Sequence, residues 1–119
     1  MLLYRWVSPT HVRQTPIGPE WREGVFKNFP RPEERRMSVV VQDRLDELNR
    51  SPASILDGLV GYGLIGIRAG DVREEEQRIE RTPRDDEPAH GDVWGDKPGA
   101  RRRKLAAKAF WVVPPPDPA

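Results

Sequence analysis

The 119-residue chain contains no cysteine. Disulfides, thiolate nucleophiles, zinc ribbons and iron–sulfur ligation are thereby excluded, and a reducing cytoplasm is the expected compartment. Histidine is almost as scarce, with only His11 and His90. The carboxylates follow no calcium-loop spacing, so no metal site and no cofactor are expected. No run of about 18 apolar residues occurs, which leaves nothing to span a membrane. The opening Met1–Trp6 lacks the charged start and long apolar stretch of a signal peptide. An excess of one charge is also missing: 20 Lys+Arg stand against 19 Asp+Glu, a net of +1. That balance disfavours long-range attraction to nucleic acid.

The charges present are nevertheless segregated. Residues 1–50 carry 9 basic and 7 acidic side chains, or +2; residues 51–96 carry 5 and 11, or −6; residues 97–119 carry 6 and 1, or +5. Arginine outnumbers lysine 16 to 4, a bias that GC-rich coding produces and that also suits planar, bidentate pairing at interfaces. Thirteen prolines rule out long uninterrupted helices, because each removes a donor and fixes φ.

Between the prolines the pattern predicts short elements. Leu2–Val7 reads as a strand, Met37–Val41 as the strongest strand, Gly61–Arg68 as a buried glycine-bearing strand, and Ala89–Trp94 and Phe110–Val113 as two more. Arg78–Arg81 reads as an edge strand guarded by charge. Helical turns are expected over 42–50, after Ser51-Pro52 with Ser51 as N-cap, and over 71–77. The clearest helix is 100–109, with Leu105, Ala106, Ala109 and Phe110 on one apolar stripe. Residues 10–20, with Pro16, Gly18 and Pro19, read as a connection with little regular structure. Trp21 to Phe29 reads as one or two helical turns or an irregular aromatic segment. The expected architecture is a single α+β domain over residues 1–113, a small mixed or antiparallel sheet of five to six strands with three to four short helices. Residues 114–119 form a proline-rich tail.

Taken together, several pieces resemble a family of small bacterial proteins of uncharacterised activity. They are the LYRW strand (Leu3–Trp6), the segment around Phe26, the MSV run (Met37–Val39) and the G-x-G strand (Gly61–Arg68). The EPAHGDV stretch (Glu87–Val93) and the basic helix running into FWVVPPP complete the set. The resemblance implies an intact native domain and supplies no activity.

Few residues point to chemistry. His90, near Asp85, Asp86, Glu87 and Asp92, is the weak catalytic candidate, as a general base; the competing reading is an imidazole hydrogen-bonded to a backbone carbonyl. No serine sits in a G-x-S-x-G elbow. Gly61, Gly63 and Gly66 meet a G-x-G-x-x-G register, but Ile67-Arg68 follows where a phosphate loop needs a helix start, so a packed strand is expected. Arg101, Arg102, Arg103 and Lys104 form a basic run. It reads as a solvated helix face, as a contact for an acidic protein partner or the domain's own acidic middle, or as a nucleic-acid contact. Trp21 and Phe29, in a proline-rich stretch, are the aromatics expected to be exposed for a partner.

The leading expectation is a non-enzymatic protein-binding module with a protein partner or self-association, in a toxin–antitoxin or defence assembly. The alternatives are an enzyme of the ADP-ribosyl-transfer or nuclease kind, using His90 with Arg5, Tyr4 or nearby carboxylates, and a nucleic-acid accessory protein using the basic helix.

Overall fold

The strand expected at Leu2–Val7 becomes the centre of the fold. The computed structural model describes residues 1–31 and 33–117; the last two residues of the proline-rich tail, 118–119, lie outside the described residues. In chain order the strands are β1 (Leu2–Val7), β2 (Val12–Thr15), β3 (Gly18–Trp21), β4 (Arg36–Val41), β5 (Gly63–Arg68), β6 (Arg78–Arg81), β7 (His90–Trp94) and β8 (Phe110–Val113). The α-helices are α1 (Gln42–Glu47), α2 (Ala69–Glu74) and α3 (Gly99–Lys108), and single 3-10 segments cover Pro9–His11, Glu23–Phe26 and Pro52–Leu56. Six strands form one sheet in the order β6-β7-β4-β1-β5-β8, and β2 and β3 form a separate ribbon. Every pairing is antiparallel.

The domain is α+β with more strands than expected, because residues 10–20 form the β2–β3 hairpin. Thr15 stands opposite Gly18, so Pro16-Ile17 is the tight turn. A two-stranded ribbon tolerates the missing N–H of Pro19 at an edge. Ser51 does not cap with its side chain, and Pro52–Leu56 winds as a 3-10 segment. The helix expected over 71–77 begins two residues earlier, directly after β5, and ends before Glu76, whose φ is 58°.

Strand alternation sends successive side chains to opposite faces, and both faces are covered. Leu3 and Val7 of β1, Met37, Val39 and Val41 of β4, Ile65 and Ile67 of β5 and Val93 of β7 pack under Leu105 of α3, Val72 of α2, and Val25 and Phe26. On the other face Tyr4, Val40 and Leu64 meet Leu45 of α1, with Ile55 and Leu56 against them. The glycines of β5 are required by the aromatic edge strand. A Cβ on Gly63 would come within 2.6 Å of the Trp111 ring, and one on Gly66 within 3.2 Å of Phe110. Phe110, expected to be buried, is 37% exposed because β8 is the open edge of the sheet. Pro115 also lies over Gly63, so the start of the tail rests on the sheet. Among the described residues no helix is long and apolar enough to cross a membrane.

Candidate functional site

β1 pairs with β5 along its whole length, from Leu2 opposite Arg68 to Val7 opposite Gly63. With β4 it pairs only at Leu3 opposite Val41 and Tyr4 opposite Val40. Beyond Tyr4 these two strands part and leave a fork. The connection from Ser8 to Arg35 departs and returns at this end, and its fully buried Val25 and Phe26 fill the space beneath.

Arg5 occupies the fork. Its Nε donates to the Val25 carbonyl at 3.2 Å and its Nη1 to the Ser38 carbonyl at 2.9 Å. No carboxylate contacts it among the described residues, and its Nη2 finds no protein acceptor there. The Trp6 ring lies 4.8 Å from the guanidinium carbon. Burial pushes the guanidinium down to about 10, as expected where a cation loses water without gaining a counter-charge.

The fork opens into a crevice of about 440 Å³. Arg5, His11, Lys27 and Arg84 contribute basic groups, Trp6 and Phe29 aromatic walls, and no acidic residue lines it. Behind it Lys97, also buried, donates to Asn28 Oδ1, to the Val93 carbonyl at 2.9 Å and to the Gly95 carbonyl at 3.1 Å. Burial pushes this ammonium down to about 8; Arg5 and Arg101 add repulsion, and Asp96 opposes them. The half-buried Arg5 thus faces the crevice and Lys97 lies buried behind it, and among the described residues both donate to neutral oxygens alone. Such an arrangement is costly unless an anion completes it.

His90, the catalytic candidate, starts β7 and is only 4% exposed. Its Nδ1 lies 2.8 Å from the Thr82 hydroxyl and 3.0 Å from the Thr82 carbonyl. That hydroxyl donates to Asp92 Oδ2 at 2.9 Å, and Asp92 Oδ1 accepts from Arg36 Nη1 at 3.0 Å. With the hydroxyl proton committed to Asp92, the network assigns the imidazole proton to Nδ1 and leaves the lone pair on Nε2. Nε2 is buried and has no hydrogen-bond partner among the described residues. Burial pushes the imidazole below its ordinary range, with Arg84 adding to this and Asp92 opposing it. His90 is therefore a carbonyl-bonded imidazole with one open acceptor. Among the described residues the two cavities it borders are lined by no Ser, Thr or Tyr hydroxyl.

The enzyme reading grouped His90 with Tyr4 and Arg5. Tyr4 and His90 both stand opposite Val40, on one face of the sheet and two strands apart. Arg5, next in the chain, starts toward the opposite face and reaches only into the fork. The three do not converge.

The basic run lies on α3 beside the acidic end of α2. Arg101 pairs with Glu76 at 3.1 Å, Lys104 with Glu75 at 3.9 Å and Lys108 with Glu74 at 2.9 Å. Arg102 pairs with Glu23 and donates to the Lys97 carbonyl at 2.8 Å. Through Glu74, Glu75 and Glu76 the +5 end thus meets the −6 middle within one chain, in mostly exposed contacts that water screens. Arg103 is exposed and has no ion pair among the described residues. Trp21, expected to be exposed, is half-buried: it meets Trp111 edge-on at 5.1 Å, and its Nε1 donates to the Ala106 carbonyl at 3.1 Å. Phe29 is exposed and carries the Arg36 guanidinium 4.5 Å above its ring.

Sequence reasoning missed the fork residues Lys27, Arg84 and Lys97, and used Arg5 only as a companion of His90. One signal was present: in LLYRWV the arginine shares the inward parity of Leu3 and Val7. No group of three or more His, Asp or Glu is placed to hold a metal among the described residues. Compared with protein-family models, curated proteins and solved structures, the chain matches none.

Proposed function

We propose that the protein is a small binding module, with no catalysis of its own, that receives an anionic group in the fork crevice. The supporting observation is Arg5: a largely buried guanidinium with no carboxylate in contact, opening onto a crevice lined by basic and aromatic residues and by no acid. A guanidinium presents paired N–H donors that match a phosphate or carboxylate edge. The Val25 carbonyl and the Ser38 carbonyl of β4 hold it in place before any ligand arrives, which lowers the ordering cost of binding. The protein partner expected from the sequence, in a toxin–antitoxin or defence assembly, would meet the module here by presenting an acidic or phosphorylated side chain.

Calorimetric titration with inorganic phosphate, against chloride at matched ionic strength, tests the reading. Phosphate is expected to bind the wild type, to bind Arg84→Glu more weakly and to be lost in Arg5→Met. Absence of binding, or equal binding to Arg5→Met, would overturn it.

A further inference from the structure

A second cavity of about 270 Å³ adjoins the crevice and shares Trp6 and Arg84 with it. Its character is opposite. Val40, Ile55 and Leu59 supply apolar walls, and Asp86, Glu87 and His90 supply the other polar groups. Glu87 is committed to Arg50, at 2.5 and 3.0 Å, and to the Ala89 N–H at 3.2 Å. The Asp86 carboxylate is exposed and makes no side-chain hydrogen bond among the described residues. The His90 ring lines this cavity as well, its Nε2 buried and without a hydrogen-bond partner among the described residues. Arg84 apart, the second cavity presents apolar surface and acceptors, so it wants a flat ligand group that donates hydrogen bonds.

From the pairing of these two cavities we infer that the ligand is a nucleoside monophosphate whose base bears an exocyclic amine, its phosphate in the fork and its base in the second cavity. This rests on the anion-binding reading of the fork. The phosphate meets Arg5, Lys27 and Arg84. The base lies along Trp6, and the amine donates to the exposed Asp86 carboxylate. β1 and β7 stand two inter-strand spacings apart, roughly 10 Å, and a phosphate–pentose–base unit bridges that distance. Arg84 closes the junction between the cavities, so one side chain serves both ends of the ligand.

Titration of the full chain, followed by tryptophan fluorescence, separates this inference from the reading beneath it. The probes are adenosine 5′-monophosphate, the purine riboside 5′-monophosphate that lacks the amine, and inorganic phosphate. The adenosine compound is expected to bind at least about tenfold tighter than phosphate, as base stacking on an aromatic ring supplies, with the amine-free analogue between them. Asp86→Ala, an exposed change that leaves the fold intact, should weaken the adenosine compound and leave phosphate unchanged. Phosphate binding with no gain from the nucleoside would overturn this inference while the anion reading stands. Equal affinity for the amine-free analogue would overturn it as well. Binding of neither phosphate nor nucleotide would overturn both.

Discussion

Arg5→Met removes the charge at the centre of the fork and keeps an unbranched side chain of similar reach. Two opposing effects set its cost. The guanidinium donates to the Val25 and Ser38 carbonyls, and hydrogen bonds from a charged group contribute about 1.5–3 kcal/mol each. Against this stands desolvation, expressed in the fall of the guanidinium from its ordinary value to about 10; at about 1.4 kcal/mol per pH unit that is roughly 3 kcal/mol. Together the two bonds contribute about 3–6 kcal/mol, so desolvation offsets half of it or more. In phosphate-free buffer the variant should therefore lose no more than about 3 kcal/mol, the lower limit of the roughly 3–5 kcal/mol typical when a satisfied buried ion pair is broken. Phosphate should then separate the two proteins. At ten times its dissociation constant it adds about 1.4 kcal/mol to the wild type and nothing to the variant. Urea unfolding monitored by tryptophan fluorescence, with and without phosphate, measures both quantities. A loss above about 4 kcal/mol without phosphate would mean that the guanidinium is a satisfied structural group. Equal stabilisation of both proteins would place the anion elsewhere.

Two further outcomes follow from the same contacts. Leu105→Ala should cost about 2–5 kcal/mol in denaturant unfolding, because Leu105 is 1% exposed between α3 and the sheet; a loss below 1 kcal/mol would mean that α3 is loosely docked. Acid should destabilise the fold through His90, whose folded pKa lies below its unfolded value near 6.5. Its contribution is complete above that value and falls by up to about 1.4 kcal/mol per pH unit as pH drops toward the folded pKa. His90→Phe should flatten that part of the stability–pH curve, and an unchanged slope would refute the assignment.

The elements were more legible in the sequence than the site. β1, β4, β6, β7, β8 and α3 follow from local patterns: branched and aromatic runs bounded by proline or glycine, and one basic helix with Leu105 inward. The β2–β3 hairpin was hidden because Pro16, Gly18 and Pro19 signal a loop, and what docks it on the domain includes long-range hydrogen bonds such as Trp111 Nε1 to the Pro19 carbonyl at 2.9 Å. Trp21 shows the same limit, since its partners are 85 and 90 residues away in the chain. The crevice depends on where β1 stops pairing with β4, and composition carries no information about register. Its basic members come from positions 5, 11, 27 and 84, each unremarkable alone. Only the inward arginine of LLYRWV announced that one strand buries a cation.

The most direct test of the central claim is the Arg5 Nε–H resonance in a ¹⁵N-labelled sample titrated with inorganic phosphate at constant ionic strength. The account predicts a saturable shift of that resonance, with matching shifts at the Lys27 and Arg84 backbone amides and none along the exposed face of α3. A linear, unsaturable drift spread over all basic residues, with Arg5 unmoved, would contradict it.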